Sequence, residues 1–206
     1  MRASNHHADN QVMRMHVYRP TTTVVNTVSA APLVSAAPLV RAGPLVSAAT
    51  DAEESRKRTA WGTHIWLFLH TISVQIREDA FPQVGQELLR LIQGIVTNLP
   101  CPMCSDHART YVKNINFASI QTKAQFINFV YQFHNSVNAR KGYPIYKREE
   151  VEPTYSRAVL PNIYRNFETA YKDKSFNPSH IHDEFVRNRV LVQVRQWMQR
   201  NAGLFQ

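Results

Sequence analysis

The residues most able to do chemistry are Cys101 and Cys104, set in the run Leu99–Pro100–Cys101–Pro102–Met103–Cys104 and the only cysteines among 206 residues. A two-residue spacer lets the two sulfurs close a disulfide within one helical turn, so the pair suits cycling between dithiol and disulfide. Pro102 is well tolerated in the first turn of a helix, which puts Cys101 at a helix start. Backbone N–H groups and the helix dipole favour an anion there, and a thiolate at Cys101 should form more readily than in free cysteine. Two other readings use the same residues: half of a zinc site, or a pair of inert core thiols. Without a second cysteine pair zinc would need histidines, and the nearest, His107, stands three residues past Cys104. Spacing therefore favours redox. A framework of structural disulfides is excluded, because it needs several well-spaced pairs.

A dithiol that turns over as an oxidant needs a sink for electrons. In a chain without a clear set of metal ligands, that sink is an organic cofactor. A thioredoxin-like domain would surround the pair with a βαβ unit, but this neighbourhood reads as helical. Two helical segments offer groups for a flat heteroaromatic ring. Trp66 and His70 stand four apart on one, and His134 and Asn138 four apart on the other, so each pair shares a helix face. These side chains are expected to hold such a ring between them. Taken singly, each is more ordinarily a core aromatic or a satisfied buried histidine; their conjunction with the cysteine pair carries the functional reading. The histidines His6–His7 and His180-x-His182 lie in polar surroundings and read as surface residues.

The elements that must position these groups follow from apolar periodicity. Between Arg58 and Arg77, the residues Trp61, Ile65, Leu69, Ile72 and Ile76 form one apolar stripe of a helix. Phe81–Pro82 interrupts it. A second helix runs from Val84 to Leu99, with Leu88, Leu91 or Ile92, Ile95 and Leu99 along one face, and Pro100 ends it. A third runs from Pro102 to about Val112, and a fourth from Lys123 to about Lys141, with Phe126, Phe129 or Val130, Phe133 and Val137 inward. Gly142 is its stop signal. Four amphipathic helices on short connections describe a small bundle, and no segment of 55–145 alternates as a strand does. Leu160–Tyr171 and Phe185–Met198 form further helices, the second with Val186, Val190, Val194 and Trp197 on one face, placed to cover the bundle or mediate assembly.

Residues 1–54 read as a disordered low-complexity tail, 55–155 as the working domain, and 156–206 as a helical C-terminal extension. The tail repeats SAAPLV at Ser29–Val34 and Ser35–Val40 and RAGPLV at Arg41–Val46, and its recurring prolines break any helix. It is poor in acids, which permits a transit-peptide reading; a plain flexible tail accounts for it better, since no amphipathic opening helix or secretory core is present. No stretch approaches the ~20 apolar residues needed to span a bilayer. The net charge of +9 favours acidic partners in general. It is spread out, with Arg56–Lys57–Arg58 the longest basic run, and so reads as solvated surface rather than a nucleic-acid groove.

The ordered set Trp61-Gly62-x-x-x-Trp66-x-x-x-His70-Thr71, Cys101-x-x-Cys104 and His134-Asn135-x-Val137-Asn138, with Lys141 and Pro144, resembles the Erv/ALR family of FAD-linked sulfhydryl oxidases. The likeness covers residues 58–155, half of the chain. It implies an all-α four-helix bundle with a short fifth helix, holding FAD at the bundle mouth, as a homodimer. It also implies electron flow from a substrate dithiol to the cysteine pair, to FAD, and to O2 as acceptor, giving hydrogen peroxide. By position, Cys101 would be the sulfur that meets substrate, and Cys104 the one that lies against the flavin. Gly62, Trp66, His70, His134, Asn135, Val137, Asn138 and Lys141 match FAD-contacting positions, and Arg58, Tyr131, Tyr143 and Tyr155 fall where other members touch the cofactor. Tyr155 stands where cellular members commonly have Trp. Lys141 and Arg58 would neutralise the pyrophosphate.

The departures from the family pattern are informative. Cellular members carry a further cysteine pair that staples the bundle and often a shuttle pair on a tail, and this chain has neither. Its substrate must then reach Cys101 directly. The pared-down pattern is similar to members encoded by large DNA viruses, whose partner is a small thioredoxin-like or CxxC-containing dithiol protein. A viral origin would place the chain in the host cytoplasm or virion, ahead of a mitochondrial intermembrane space. A rival function is a non-enzymatic basic helical adaptor that binds nucleic acid or a virion component, with the cysteine pair as a passive staple.

Overall fold

The computed structural model describes residues 46–172 and 181–206, and the side chains of 61–172 and 184–206 among them. The SAAPLV repeats, His6–His7 and His180 lie outside the described residues, as do the side chains of Arg58 and His182. The chain divides into the units Met1–Asp51 and Ala52–Gln206. Of the first, only helical backbone from Val46 onward is described; everything below concerns the second.

Helix α1 (Val46–Gln75) carries the expected stripe, and Trp61, Ile65, Leu69, Ile72 and the following Ile76 are all buried. The tail boundary near residue 54, drawn from composition, falls within this helix. Helix α2 (Phe81–Thr97) begins three residues earlier than expected, because Pro82 sits in its first turn. A proline there starts a helix as readily as one further on would break it. Gly85 lets the Phe81 ring fold back onto α2: a Cβ at this position would come within 2.8 Å of the ring. Helix α3 (Pro102–Lys113) starts directly after Cys101.

Helix α4 (Lys123–Lys141) has both of its ends encoded locally. Thr122 accepts from the Gln125 N–H while the Gln125 side chain accepts from the Thr122 N–H, a capping box. At the far end Gly142 takes φ 67°, a left-handed conformation that costs glycine least, and the Tyr143 N–H reaches back to the Asn138 carbonyl at 2.9 Å. Short α5 (Val151–Tyr155), then α6 (Leu160–Tyr171) and α7 (Ile181–Arg200), complete the chain. The helical class expected from the sequence is the class observed. Among the described residues the sole extended pairing is an isolated bridge between Ile76 and Phe205.

The core runs between α1, α2 and α4 through Leu69, Ile72, Ile92, Ile95, Phe126, Val130 and Phe133. The α3–α4 connection is tied to α2 by Gln86, whose side-chain amide donates to the Phe117 and Ile120 carbonyls. Among the described residues no helix is long and apolar enough to cross a membrane.

Candidate active site

Cys101 occupies the N-cap of α3, and its sulfur is bonded to that of Cys104. Extended backbone at Cys101 aims the side chain at the open end of α3, where the sulfur accepts the Cys104 N–H at 3.3 Å. A sulfur at an N-cap meets N–H groups that have no partner inside the helix, so negative charge is favoured there. Ser105 closes the turn from behind, its hydroxyl donating to the Leu99 carbonyl at 3.2 Å. Between the cysteines Met103 projects outward, 72% exposed.

The two sulfurs serve different sides. Cys104 lines a cleft walled by α1 (Trp61, Gly62, Ile65, Trp66, Leu69), α2 (Val96) and the following Leu99, α3 (His107) and α4 (Phe133, Val137, Arg140, Lys141). Cys101 is not among the lining residues. The cavity itself is small, about 40 Å³, below the roughly 300–1,000 Å³ of small-molecule and cofactor sites, so its lining and not its volume carries the reading. Its inner wall is apolar and aromatic. Among the described residues, a Cβ added at Gly62 would meet no neighbouring atom within 4 Å, so α1 presents bare backbone to open space at this point.

The rim is cationic. Arg140 and Lys141 meet no carboxylate among the described residues, and the Lys141 ammonium instead lies 5.8 Å from the centre of the Tyr143 ring. Partial burial and the neighbouring Arg140 charge lower the Lys141 pKa. His107 is lowered as well, by burial first and then by Arg140 and Lys141. Three like-charged or chargeable groups thus converge without a counter-ion. Such a rim favours an anion, and the wall behind it favours a flat apolar ring.

Behind the wall lies a chain of stacked rings. Trp66 lies flat on His134, with ring centres 4.1 Å apart, and His70 lies flat on Tyr155 at 4.6 Å. His70 and His134 share a hydrogen bond of 2.9 Å between Nε2 and Nδ1. Burial holds both imidazoles neutral: His134 is lowered to about 4, with Lys141 contributing, and His70 is lowered well below its ordinary value. The expectation that Trp66 and His134 grip a ring between them does not describe this geometry. The two rings touch each other and form a single wall, because their helices approach closely enough for direct stacking. His70 Nδ1 and Thr71 Oγ1 are buried there without a hydrogen-bond partner among the described residues.

The cofactor-binding positions expected from the sequence therefore fall into groups. Gly62, Trp66, Val137 and Lys141 line the cleft with Cys104. His70, His134 and Tyr155 stand behind it, and burial raises the Tyr155 phenol well above its ordinary value. Asn135 exchanges hydrogen bonds of 2.9 Å with both the N–H and the carbonyl of Tyr146, pinning the segment after α4, and Asn138 donates weakly to Asn135. Tyr131 packs partly buried against the core, and Tyr143 is exposed under Lys141. Arg58 contributes only described backbone. The apolar lining residues Trp61, Ile65, Leu69, Val96, Leu99 and Phe133, and the polar pair His107 and Arg140, are not picked out from the sequence for this role. His107 lies one turn after Cys104 on the same face of α3, and Arg140 adjoins Lys141, so the i,i+3 spacing was a usable signal for the first.

Known proteins share the sequence that builds this cleft. A profile described as the Erv1 / Alr family matches residues 63–156. A protein of Invertebrate iridescent virus 6, provisionally named as a FAD-linked sulfhydryl oxidase, is 32% identical over 91 residues, which are 41% of this chain and 82% of that protein. An African swine fever virus FAD-linked sulfhydryl oxidase is 27% identical over 103 residues, 50% of this chain and 86% of its own. The Oryza sativa FAD-linked sulfhydryl oxidase ERV1 is 27% identical over 100 residues, 48% of this chain and 51% of its own. No solved structure matches. The matched stretch runs from the α1 wall through the cysteine pair to the close of α5, and it fills most of the iridescent virus relative. This chain belongs to the Erv1 / Alr family.

Proposed function

We propose that the chain is a FAD-linked thiol oxidase that forms disulfide bonds in dithiol-bearing protein substrates, with Cys101 as the sulfur that exchanges with substrate. The observation that carries this reading is the division of the cysteine pair. Cys104 opens into the apolar cleft, while Cys101 caps α3 beside exposed Met103.

The residues present fit FAD. Bare backbone at Gly62 leaves room against α1, Trp66 and Val137 offer flat and aliphatic surface, Arg140 and Lys141 supply positive charge for a pyrophosphate, and His107 adds a polar imidazole beside them. His70 and His134, kept neutral by burial, hold the Trp66 wall in place without adding charge behind it. Asn135 fixes the chain beyond α4 through Tyr146, and so sets where the Lys141 rim lies. FAD held there would supply a two-electron acceptor for the reduced cysteines, with oxygen as the terminal acceptor and hydrogen peroxide as the product.

The exchange itself belongs to the cysteines. A substrate thiolate attacks Cys101 Sγ, the Cys101–Cys104 bond breaks, and Cys104 leaves as a thiolate. The substrate's second thiol, after losing its proton, attacks the substrate sulfur of the mixed disulfide and releases Cys101. The Cys104 N–H, which already points at Cys101 Sγ, stabilises that departing thiolate. The substrate loses two electrons and the cysteine pair gains them.

Flavin absorbance of the purified chain, together with dithiothreitol-dependent oxygen consumption and peroxide release, tests the proposal. Cys104→Ser should keep the colour and lose turnover. A folded, colourless protein that does not take up FAD would end the reading.

A further inference from the structure

Helix α1 ends at Gln75, a residue 3% exposed whose backbone and side chain both reach across the fold. The last carbonyls of a helix lack partners inside it. Here the Gln75 carbonyl is satisfied by the Gln206 N–H at 2.9 Å, and beside it the Arg77 N–H donates to the Leu204 carbonyl at 2.8 Å. Phe205, at this stitch, meets Trp197 of α7 edge-on with ring centres 6.1 Å apart, and Trp197 donates its indole N–H to Glu87 of α2. The side chain of Gln75 does a similar service for another helix. Its amide nitrogen has two N–H donors. They meet the Tyr155 carbonyl at 2.9 Å and the Ala158 carbonyl at 2.6 Å, with the Ser156 carbonyl at 3.5 Å a longer third contact. Tyr155 is the last residue of α5, so Gln75 caps α5 from outside that helix.

That cap bears on the cleft. A helix of five residues has no stability of its own, so α5 keeps its place only through what it touches. Buried Val151 and the Tyr146 hydroxyl, bonded to Glu150 and Thr154, hold one side of it, and Gln75 holds its end. From that end the contacts run in one line. The Tyr155 ring lies flat on His70, His70 is hydrogen-bonded to His134, and His134 lies flat on Trp66, which lines the cleft with Cys104. We propose that Gln75 is a positioning residue for the cofactor wall, clamping the end of α5 so that Tyr155 braces the two histidines against Trp66. The proposal rests on the oxidase reading for the identity of the cofactor alone. Without the amide, the Ala158 carbonyl loses this bond and the Tyr155 carbonyl keeps only the Ala158 N–H at 3.3 Å. The corner at 155–158 is then free to shift, and the wall loses its backing.

Nuclear magnetic resonance of the cofactor-free, full-length chain reads the wall directly, because His134 ring protons stacked on Trp66 take a ring-current shift from it. Gln75→Leu removes the donors at similar side-chain size. Gln75→Asn is the milder variant, keeping the amide but drawing it back by one methylene. Tyr171→Phe is the control: it removes one buried hydrogen bond of 3.0 Å, from α6 to the Ile95 carbonyl of α2, and lies outside the line of rings. In both Gln75 variants the His70 and His134 ring resonances should move toward their ordinary positions, while Tyr171→Phe leaves them in place. Fluorescence titration should show FAD bound roughly 2- to 30-fold more weakly by the Gln75 variants, the range for a residue that acts on a site through others. Resonances that stay in place, resonances that move equally in Tyr171→Phe, or an FAD affinity equal to the parent's overturns the proposal. A parent chain that takes up no FAD fails the oxidase reading instead, and the histidine resonances still decide the role of Gln75.

Discussion

Replacing Gly62 by Ala sets two consequences of the geometry against each other. The residue lies within α1 and a Cβ there meets no protein atom within 4 Å, so the new methyl enters the cleft without a clash. Glycine inside a helix costs roughly 0.5–1 kcal/mol relative to alanine through its greater backbone freedom. The cofactor-free variant should therefore be more stable by up to about 1 kcal/mol, which raises Tm by roughly 2–4 °C in a chain of this size. The same methyl takes space proposed for FAD beside Trp66. Overpacking of a close contact costs roughly 1–3 kcal/mol. At about 1.4 kcal/mol per factor of ten, this is a loss of roughly 5- to 150-fold in FAD affinity. Thermal unfolding of the deflavinated proteins gives the first quantity, and fluorescence titration with FAD the second. A variant that melts lower than the parent contradicts the open space at Gly62. One that melts higher and binds FAD equally well contradicts the placement of the cofactor against α1.

Other outcomes follow from the same geometry. In the folded chain His134 titrates at about 4 against an ordinary 6.5, so between these values the unfolded chain binds more protons and stability falls as pH drops. The loss due to this group is up to roughly 3 kcal/mol. Urea unfolding at pH 7 and pH 4.5 should show it, and His134→Gln should flatten the dependence; equal slopes for parent and variant would refute the cause. Trp197→Ala should cost roughly 3–5 kcal/mol by emptying a buried ring site, whereas a loss under 1 kcal/mol would mean that α7 is only loosely attached. Replacing both Arg140 and Lys141 by Ala should weaken FAD binding and make it less sensitive to salt, because these exposed cations act through charge. Unchanged salt dependence would remove them from the rim proposed for the pyrophosphate.

Much of the fold is legible along the chain because helices are written in neighbours. The stripe Trp61–Ile65–Leu69–Ile72 and the Gly142 stop each involve residues within a few positions, and each is found in the structure. Phe81–Pro82 was misread for the same local reason: a proline that begins a helix and one that interrupts it look alike until the following turn is seen to bury Phe81. The motif residues could be chosen along the chain, while their division of labour came from the family resemblance and not from residue type or spacing. Which cysteine opens into the cleft depends on how α3 sits against α2. Whether Trp66 and His134 face each other across a gap or touch depends on the distance between α1 and α4.

By itself the sequence determined the helical class, the redox-capable spacing of Cys101 and Cys104, and the faces that Trp66 with His70 and His134 with Asn138 share, because residue type and short-range period decide these things. The tertiary structure puts Cys104 on the cleft, where the family resemblance set it, and it alone decided that the histidines back a wall instead of forming a jaw and that α6 and α7 close the outer flank of α1 and α2. Those outcomes depend on contacts between residues 64 and 110 positions apart, such as His70 with His134 and Glu87 with Trp197. Contacts of that range are set by packing against a shared core, which no local pattern encodes.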